Sequence, residues 1–379
     1  MPRLFAVCTL PPWPVRDGYS LRVANVVSRL AGRWDITLLA PLGPESERLP
    51  GVAEHVPLSL TGPGLSYPWR FDNAPLVAAI ERCVAATGPD RALVWPGAEG
   101  AWLASGAQVP AVLDMIDCNP LEFFGNICAG NLHAARGWDW ARNAKEAAIA
   151  AVHARRAVRR FGATVCVGER DAAWMARLGG RAVHVVPNGV ALPDTLRPEH
   201  AKPTVVFAGT LDYPPNVNAV AFAAAGVWPR VRAAVPEARW VIAGRRPAAA
   251  IRAMDGRDGV EVRADVLDMP AELQAAWVAI APMRTGVGLK NKVLEAWACA
   301  RPVVLTPLAT NGLALPPGHA GLVQADADSM ADAVVTLLRD DAARQRLGDA
   351  ACAMVARDFT WDSAAARLDA LLQHSFQDR

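Results

Sequence analysis

Two lysines and a glutamate stand close together at the start of a predicted helix. The apolar residues of Leu289–Ala300 have helical spacing, and Lys290 and Lys292 fall in the first turn. A helix N-terminus carries partial positive charge, so cations are unfavourable there unless a bound anion uses their charge. A phosphate is the simplest such anion. Glu295, one turn further along, could accept hydrogen bonds from a ribose attached to that phosphate. The spacing therefore predicts a nucleotide sugar as the ligand.

The segment before this helix supports the same interpretation. Residues 277–281 are apolar and predict a strand, and the loop at 283–288 contains two glycines. The amides of this loop and the helix N-terminus would then converge on one anion. The alternative is a solvated first turn in which Lys292 and Glu295 form a salt bridge, which would contribute only a few tenths of a kcal/mol.

An aspartate in the first half of the chain could handle an acceptor. Asp117 directly follows the apolar run 111–116, at the carboxyl end of a predicted strand, where open parallel sheets bind their ligands. Its carboxylate could orient an acceptor hydroxyl or accept the hydroxyl proton. It could equally cap the segment that begins at Asn119. Asp114 has apolar neighbours and is predicted to be a structural hydrogen-bonding residue.

The loop after the first predicted strand is a second place for contact with substrate. It contains Asp17, which is the second catalytic candidate, and Gly18, which would let the backbone approach a phosphate or sugar. The alternative is a plain loop with a glycine turn.

Short apolar runs alternate with helical patterns along the chain. The predicted strands lie at 4–10, 36–40, 92–95, 111–116, 164–167 and 183–186 in a first series, and at 204–208, 240–243, 260–262, 278–281, 303–306 and 321–324 in a second. Such alternation is typical of parallel, doubly wound sheets. Residues 187–203 are rich in Pro and Gly and lack periodicity, which predicts a linker. The predicted fold class is α/β, with Rossmann-like domains at 1–194 and 195–359.

Several segments resemble glycosyltransferase family 4 enzymes of the GT-B type. KVLEAWACARPVV (292–304) is similar to the family block K-x-x-E-A-x-A-x-x-x-P-V-V. FAGTLDYPPNVNAV (207–220) resembles the first strand and loop of the nucleotide-binding half, and VVPNGVALP (185–193) resembles the interdomain hinge segment. PPWPVRDGYSLRVANVVSRLA (11–31) is similar to a segment of sugar transferases from bacterial exopolysaccharide clusters, including those associated with PEP-CTERM systems.

The resemblance implies two Rossmann-like domains that face a cleft, with the donor on the second and the acceptor on the first. It implies transfer of a sugar from a nucleoside-diphosphate sugar to an acceptor hydroxyl, with retention, in bacterial polysaccharide or glycoconjugate biosynthesis. FTWDSAAARLDALL resembles the closing helix of the family, so residues 360–379 are expected to cross back onto the first half. Two alternatives share this architecture: a sugar-nucleotide 2-epimerase, and a non-catalytic partner of another transferase.

The sequence departs from the family pattern at the donor site. Val287 stands where most members have the first glutamate of an E-x7-E pair, and Thr210 and Asp212 occupy the loop that usually carries an arginine and a lysine. Arg284 and the two lysines of the helix are therefore interpreted as a substitute phosphate clamp. The residues predicted to contact the donor are Gly18, Gly209, Thr210, Arg245, Arg284, Gly286, Val287, Gly288, Leu289, Lys290, Lys292 and Glu295.

Composition limits the class of protein. The 379 residues suffice for two domains, and no apolar run approaches the roughly 18 residues that would span a membrane. The first residues do not form a signal peptide, so a cytoplasmic location is expected. Seven cysteines without a C-x-x-C pair indicate free thiols rather than disulfides or zinc. A net charge of +2 argues against nucleic acid as a partner.

The expected partners are a nucleotide sugar and an acceptor, which could be a sugar, a lipid-linked molecule or another small molecule. No cofactor and no metal is expected, because loop amides, lysines and a helix dipole can stabilise a leaving diphosphate. The segment HARRAVRR (153–160) places arginines at i, i+4. Such a face could dock on anionic lipid at the inner side of the membrane, or it could be merely solvated.

Overall fold

The chain divides into two compact units. The computed structural model describes residues 1–41, 49–58, 74–116, 137–196, 199, 201–286 and 288–374, and for 137–143 and 374 it describes the backbone only. The first unit comprises the described residues up to Asn188 together with the last helix, which begins at Trp361, and the second unit comprises those of Gly189–Thr360.

A seven-stranded parallel sheet forms the centre of the first unit. Its strands are β1 (Arg3–Val7), β2 (Asp35–Ala40), β3 (Glu54–Pro57), β4 (Arg91–Val94), β5 (Ala111–Ile116), β6 (Ala163–Cys166) and β7 (Val183–Val185). Their order across the sheet is β3-β2-β1-β4-β5-β6-β7, and every pairing is parallel. The residues of β5 and β6 are all buried, as expected for strands covered by helices on both faces.

The helices of the first unit connect these strands and cover the sheet. They are α1 (Gly18–Leu30), α2 (Ala74–Thr87), α3 (Glu99–Ala104), α4 (Gly137–Arg160), α5 (Glu169–Arg177) and, last in the chain, α13 (Trp361–His374). Helix α1 begins at Gly18 because Asp17 and Ser20 form a capping box, in which each side chain bonds to the other residue's backbone amide. Helix α13 packs against α1, with Asp369 accepting a hydrogen bond from Trp34 Nε1 at 2.7 Å.

A five-stranded parallel sheet forms the centre of the second unit. Its strands are β8 (Thr204–Ala208), β9 (Arg239–Gly244), β10 (Val260–Ala264), β11 (Val278–Ala281) and β12 (Val303–Leu305), in the order β10-β9-β8-β11-β12. The helices are α6 (Pro214–Phe222), a π-helical turn (Ala223–Val227), α7 (Trp228–Ala234), α8 (Ala249–Arg252), α9 (Met269–Ala275), α10 (Asn291–Ala298), α11 (Ala327–Arg339) and α12 (Asp341–Asp358), with 3₁₀ turns at Pro307–Thr310 and His319–Leu322. The predicted α/β fold with two doubly wound parallel sheets is thus confirmed.

One observed strand was not predicted, and one predicted strand is not observed. Strand β3 was not predicted, because its four residues lie at the edge of the sheet, are only partly buried and end in a proline. The run 321–324, predicted as a strand, contributes only a single bridge from Val323 to Leu305 and overlaps a 3₁₀ turn. Its apolar residues pack without forming a ladder.

Candidate functional site

The candidate site of the second unit lies where the order of its strands reverses. Strands β8 and β11 are neighbours in the centre of the sheet, and connections from them leave in opposite directions. Ligands of doubly wound sheets bind at the carboxyl ends of strands at such a point. The loop that starts at Gly209 follows β8, and the loop 282–290 follows β11. The fold therefore brings together two segments that are far apart in the sequence.

Lys292 is the centre of this site. Its Nζ donates a hydrogen bond to Asn216 Oδ1 at 2.6 Å, and it lies 3.8 Å from Met283 Sδ and 4.1 Å from the centroid of the Phe207 ring. These partners are an amide, a thioether and an aromatic face, so none carries a negative charge. Among the described residues, no carboxylate forms an ion pair with Lys292.

The surroundings of Lys292 weaken its hold on a proton. Burial, followed by the nearby charge of Lys290, lowers the pKa of Lys292 to about 7, and Glu295 acts in the opposite direction. Burial also raises the pKa of Glu295, which Lys292 partly offsets. The two side chains form no salt bridge, so the alternative of an i, i+3 ion pair on a solvated turn is not realised. The pKa of Lys292 thus lies near neutral pH, and its hydrogen-bond and ring partners are uncharged. Such a lysine is suited to bind an anion.

Asn216 holds Lys292 in place, and sequence reasoning missed it. Its side chain is almost fully buried, and its Nδ2 donates to the carbonyl of Thr210 at 2.8 Å, which turns Oδ1 towards the lysine. Gly209 leaves room for this contact, because a Cβ there would lie 2.8 Å from Asn216 Nδ2 and 3.0 Å from Lys292 Nζ. An asparagine shortly after a glycine-bearing strand end is the only signal that the sequence offered.

The glycine loop before α10 is held tightly by its own contacts. Lys290 Nζ donates to the carbonyl of Gly288 at 2.8 Å, and the side chain is buried. Gly286 and Gly288 have φ values of +100° and +70°, a backbone conformation that side chains rarely adopt. A Cβ at Gly286 would approach Pro215 at 3.3 Å, so the loop lies against the start of α6.

Helix α10 starts two residues later than its apolar spacing predicts. Lys290 occupies its N-cap position without a side-chain cap, and Lys292 lies in the first turn. The buried hydroxyl of Thr285, in the loop before the helix, has no hydrogen-bond partner among the described residues. This end of the helix therefore combines a helix N-terminus without a side-chain cap, the lysine Lys292, and the Thr285 hydroxyl, which has no hydrogen-bond partner among the described residues.

The remaining predicted donor residues lie around this centre in different ways. Thr210 contributes its carbonyl to Asn216, and Leu289 is buried. Arg284 is exposed, with its guanidinium 5.1 Å from the Phe222 ring centroid. Arg245 is exposed, and its carbonyl accepts the amide of Leu211. Val287 lies outside the described residues.

In the first unit, the candidate residues are only partly described. Asp117 lies outside the described residues. Asp17 caps α1, since its Oδ1 accepts hydrogen bonds from the backbone amide and the hydroxyl of Ser20, both at 2.8 Å. Gly18 is the first residue of that helix. A catalytic role of Asp17 and a donor contact by Gly18 stay predictions.

A buried ion pair lies beneath the carboxyl end of β5. Arg22 Nε donates to Asp114 Oδ2 at 2.7 Å, Arg22 Nη1 donates to Asn188 Oδ1 at 2.9 Å, and the side chains of Arg22 and Asp114 are 0% exposed. The prediction of a structural role for Asp114 is confirmed. Ile116, at the end of the strand, has φ of +58°, which is strained for a β-branched residue.

Neither metal ligation nor membrane spanning is visible in the described part of the chain. Within it, no cluster of three or more His, Cys, Asp or Glu side chains could hold a metal ion. Two nearby carboxylates, Asp326 and Asp328, have structural roles instead. Asp326 caps a helix by accepting a hydrogen bond from the Ser329 amide at 2.8 Å, and Asp328 forms an ion pair with Arg230. Of the described helices, none combines the length and apolar character that crossing a bilayer would require.

Comparison with known proteins agrees with this fold. Residues 202–340 match the family model of group 1 glycosyl transferases, and this segment includes Gly209, Asn216 and Lys292. The phosphatidyl-myo-inositol mannosyltransferase of Mycobacterium leprae (strain TN) is 30% identical over 217 residues, which cover 54% of this chain and 57% of that protein. The predicted resemblance to glycosyltransferases of the family 4 type is therefore confirmed, and the family model that matches lies within the second unit.

Solved structures extend the similarity to the whole fold. TarM has a TM-score of 0.62 at 11% identity, covering 80% of this chain and 58% of its own. HepE of Anabaena in complex with UDP has a TM-score of 0.69 at 13% identity, covering 98% of this chain and 99% of its own. At such identities the likeness shows the fold alone. The chain spans somewhat under three fifths of the length of the mannosyltransferase and of TarM.

Proposed function

We propose that this protein is a glycosyltransferase that moves a sugar from a nucleoside-diphosphate sugar to an acceptor hydroxyl. The observation that carries the proposal is the environment of Lys292. This cation lies at the carboxyl ends of two central strands, next to a helix N-terminus, and its hydrogen-bond, sulfur and ring partners among the described residues are uncharged. A diphosphate would supply the missing negative charge. The match of residues 202–340 to group 1 glycosyl transferases supports this ligand class.

The proposed chemistry requires stabilisation of a leaving diphosphate. The ammonium of Lys292 and the amides at the start of α10 would stabilise the charge that develops on the leaving diphosphate as the bond between the anomeric carbon of the sugar and the diphosphate oxygen breaks and the bond to the acceptor oxygen forms. Glu295 lies one helical turn beyond Lys292, and we assign it the ribose hydroxyls. Among the described residues its carboxylate accepts no hydrogen bond, and its raised pKa reflects burial. Arg284 and Arg245 would flank the phosphates or the base.

The acceptor is assigned to the first unit, with Asp117 and Asp17 as the candidates to orient its hydroxyl or accept its proton. The family resemblance supports transfer with retention and a role in bacterial polysaccharide or glycoconjugate synthesis. HepE binds UDP and UDP-glucose in its solved complexes, which supports a uridine nucleotide as the first ligand to test.

Titration calorimetry with UDP, ADP and GDP, followed by an assay of donor hydrolysis, tests the proposal. We expect Lys292→Ala to weaken binding of the preferred nucleotide by about ten- to a hundredfold, because a charge-assisted contact worth roughly 1.5 to 3 kcal/mol is lost. Lys202→Ala, at an exposed lysine of the same unit, is the matched control and should bind like the unaltered protein.

Two results would overturn this function. If no nucleoside diphosphate binds the unaltered protein, or if Lys292→Ala binds as tightly, the assignment of the site is wrong. Tight nucleotide binding without sugar transfer or donor hydrolysis would instead favour the alternative of a non-catalytic partner with the same fold.

A further inference from the structure

A cavity of about 590 Å³ lies in the second unit, at the edge of the sheet opposite to the candidate donor site. It is lined by residues of α7 and of the turn between α8 and β10. Val260, the first residue of β10, forms part of its wall, so the cavity lies at the amino ends of the strands. The candidate donor site lies at the carboxyl ends of the same sheet. None of the predicted donor residues lines the cavity.

Most of the cavity wall is apolar. Trp228 is 5% exposed and packs against Trp240, with the two ring centroids 5.7 Å apart. Its Nε1 donates a hydrogen bond to the carbonyl of Asp258 at 2.8 Å, which fixes the orientation of the indole. A flat apolar group could pack against this wall. The other apolar residues that line the cavity are Ala224, Pro229, Ala233, Met254 and Val260.

Two irregular backbone segments meet at the cavity. A π-helical turn, Ala223–Val227, separates α6 from α7, and its Ala224 lines the cavity. Such turns are rare and frequently occur at functional sites. On the opposite side, Asp258 and Gly259 have successive positive φ values of +47° and +76°. The cavity is therefore bounded by departures from regular structure on two sides.

Arg232 of α7 is held in a fixed position at the cavity. Its Nη1 donates to the carbonyl of Ala238 at 3.0 Å and also to that of Pro236. A Cβ at Gly259 would lie 3.1 Å from Arg232 Cζ, so the guanidinium lies against the backbone of that glycine. Because the side chain is already ordered, binding of a ligand would cost little further side-chain entropy.

The charge of Arg232 distinguishes it from comparable arginines. Its printed contacts are neutral carbonyls, and among the described residues it forms no ion pair. The other arginines described in the second unit that are not exposed each pair with a carboxylate. These are Arg239, Arg263, Arg301 and Arg344.

Two further charged residues line the cavity. Arg257 is exposed, and within the described ranges it too forms no ion pair. Asp258 supplies the carboxylate of the wall and pairs with neither Arg232 nor Arg257. The wall therefore combines two guanidinium groups and one carboxylate with an apolar surface, and its net charge is positive.

We propose that this cavity binds a small molecule with a flat apolar body and one acidic group, either a carboxylate or a phosphate. The acidic group would bind the remaining donors of the Arg232 guanidinium, since arginine binds both kinds of anion through charge-assisted hydrogen bonds. The apolar body would pack against Trp228, and Arg257 would attract the anion at the rim. A neutral sugar would leave both cations without a counter-ion.

Titration calorimetry on the full chain with three probes tests the proposal. Naphthoate has the apolar body and the acid, naphthamide keeps the body without the charge, and acetate keeps the acid without the body. We expect naphthoate to bind, and naphthamide to bind on the order of tenfold more weakly because the charge-assisted contact is lost. Acetate should show no measurable binding, since it buries almost no apolar surface.

Three variants and a control assign the binding to the cavity. Arg232→Gln should weaken naphthoate binding on the order of tenfold, and Arg257→Gln should weaken it less, because its side chain is exposed. Ala233→Phe should weaken binding at least as much as Arg232→Gln, since it fills the cavity while all charges stay. Arg252→Gln removes an exposed arginine of α8 that does not line the cavity, and this control should bind naphthoate like the unaltered protein.

Several results would overturn the proposal. These are no binding of naphthoate to the unaltered protein, equal affinity for naphthoate and naphthamide, and unchanged naphthoate affinity in Ala233→Phe or in a folded Arg232→Gln protein. If Arg232→Gln lowers the thermal midpoint, Arg257→Gln is compared with Arg252→Gln instead. Equal naphthoate affinities in those two variants would then show that the cations of the cavity do not bind the acid.

Competition with UDP separates this cavity from the donor site. Saturating UDP should leave the naphthoate affinity unchanged, because the two sites lie at opposite ends of the strands. If UDP displaced naphthoate, the acid would be bound at the donor site and the proposal would be wrong. If UDP itself failed to bind, the proposed function would lose its support while the naphthoate result stood.

Discussion

A buried or partly buried cation lies near the carboxyl ends of the central strands in each unit, Arg22 in the first and Lys292 in the second, and the surroundings of these two cations differ. In the first unit Arg22 is paired with Asp114 at 2.7 Å and bonded to Asn188, and both members of the ion pair are 0% exposed. In the second unit, among the described residues, Lys292 bonds to Asn216, contacts Met283 and the Phe207 ring, and forms no ion pair with a carboxylate. The first cation is neutralised within the protein, and the second is not.

This difference separates a structural charge from a binding charge. A buried ion pair is costly to break, since removing one partner leaves an uncompensated charge away from water. A buried cation without a counter-ion is already destabilised, and its pKa falls as a result. Its charge becomes favourable only when a ligand brings the anion. The comparison therefore predicts that substitutions around Arg22 change stability and that substitutions around Lys292 change ligand affinity.

The largest effect is expected in the first unit. Asp114→Asn should lower the free energy of unfolding of this unit by about 3 to 5 kcal/mol, because Arg22 stays buried without its counter-ion. Urea unfolding followed by circular dichroism measures this. Asp362→Asn, which breaks the exposed pair with Arg29, is the control and should cost less than about 1 kcal/mol. If both variants lost the same free energy of unfolding, burial of the ion pair would not increase its contribution to stability.

The second prediction tests whether it matters that Asn216, the hydrogen-bond partner of Lys292, is uncharged. Asn216→Asp should place a carboxylate beside the ammonium, raise its pKa and repel a phosphate, so nucleotide affinity should fall on the order of tenfold to a hundredfold. Asn216→Ala removes the hydrogen bond without adding charge and should cost clearly less. If calorimetry gave the same affinity for both variants, Asn216 would only pack against the site and its neutrality would not matter.

A smaller effect should appear as a pH dependence. Because the pKa of Lys292 is lowered to about 7, nucleotide-sugar affinity should be constant below that pH and fall by about tenfold per unit above it. A nucleotide sugar is the better probe, since a terminal phosphate itself titrates near pH 6. Calorimetry in two buffers of different ionisation enthalpy should show proton uptake on binding above pH 7. A flat profile would contradict the assignment.

The same shift affects stability with a definite sign. The pKa of Lys292 falls from an ordinary value of 10.5 to about 7 in the folded state. Between these values the unfolded chain binds more protons than the folded chain, so this group makes the free energy of unfolding rise with pH. Lys292→Met should remove that contribution.

The fold could be predicted well from the sequence because burial on both faces makes central strands mostly apolar. The runs around Phe5, Val112 and Val206 are of this kind, and each is a strand of the observed sheets. The edge strand Glu54–Pro57 lacks the signal because one side of an edge is solvated. Pattern reasoning therefore succeeds for the central strands and also for the edge strands β7, β10 and β12, and it misses only the short edge strand β3 among the described strands.

The site could be predicted only where its residues are neighbours in the sequence. Lys292 and the glycine loop belong to one strand-loop-helix segment, whose local chemistry indicates an anion. Asn216 is 76 residues away from Lys292 and Arg22 is 92 residues away from Asp114, so the partner of each charge depends on strand order and not on spacing. Sequence patterns showed where the charges are, but not whether each one is neutralised.

Helix α13 has a consequence for the synthesis of the protein on the ribosome. The helix belongs to the first unit, where Asp369 bonds Trp34 and Asp362 pairs with Arg29, yet the whole of Gly189–Thr360 is translated before it. At about 5 to 20 residues per second, the first unit waits on the order of ten seconds or more for its last helix. During that interval the surface of α1 that α13 covers is open, and transiently exposed apolar surface of this kind makes a nascent chain prone to associate with other chains.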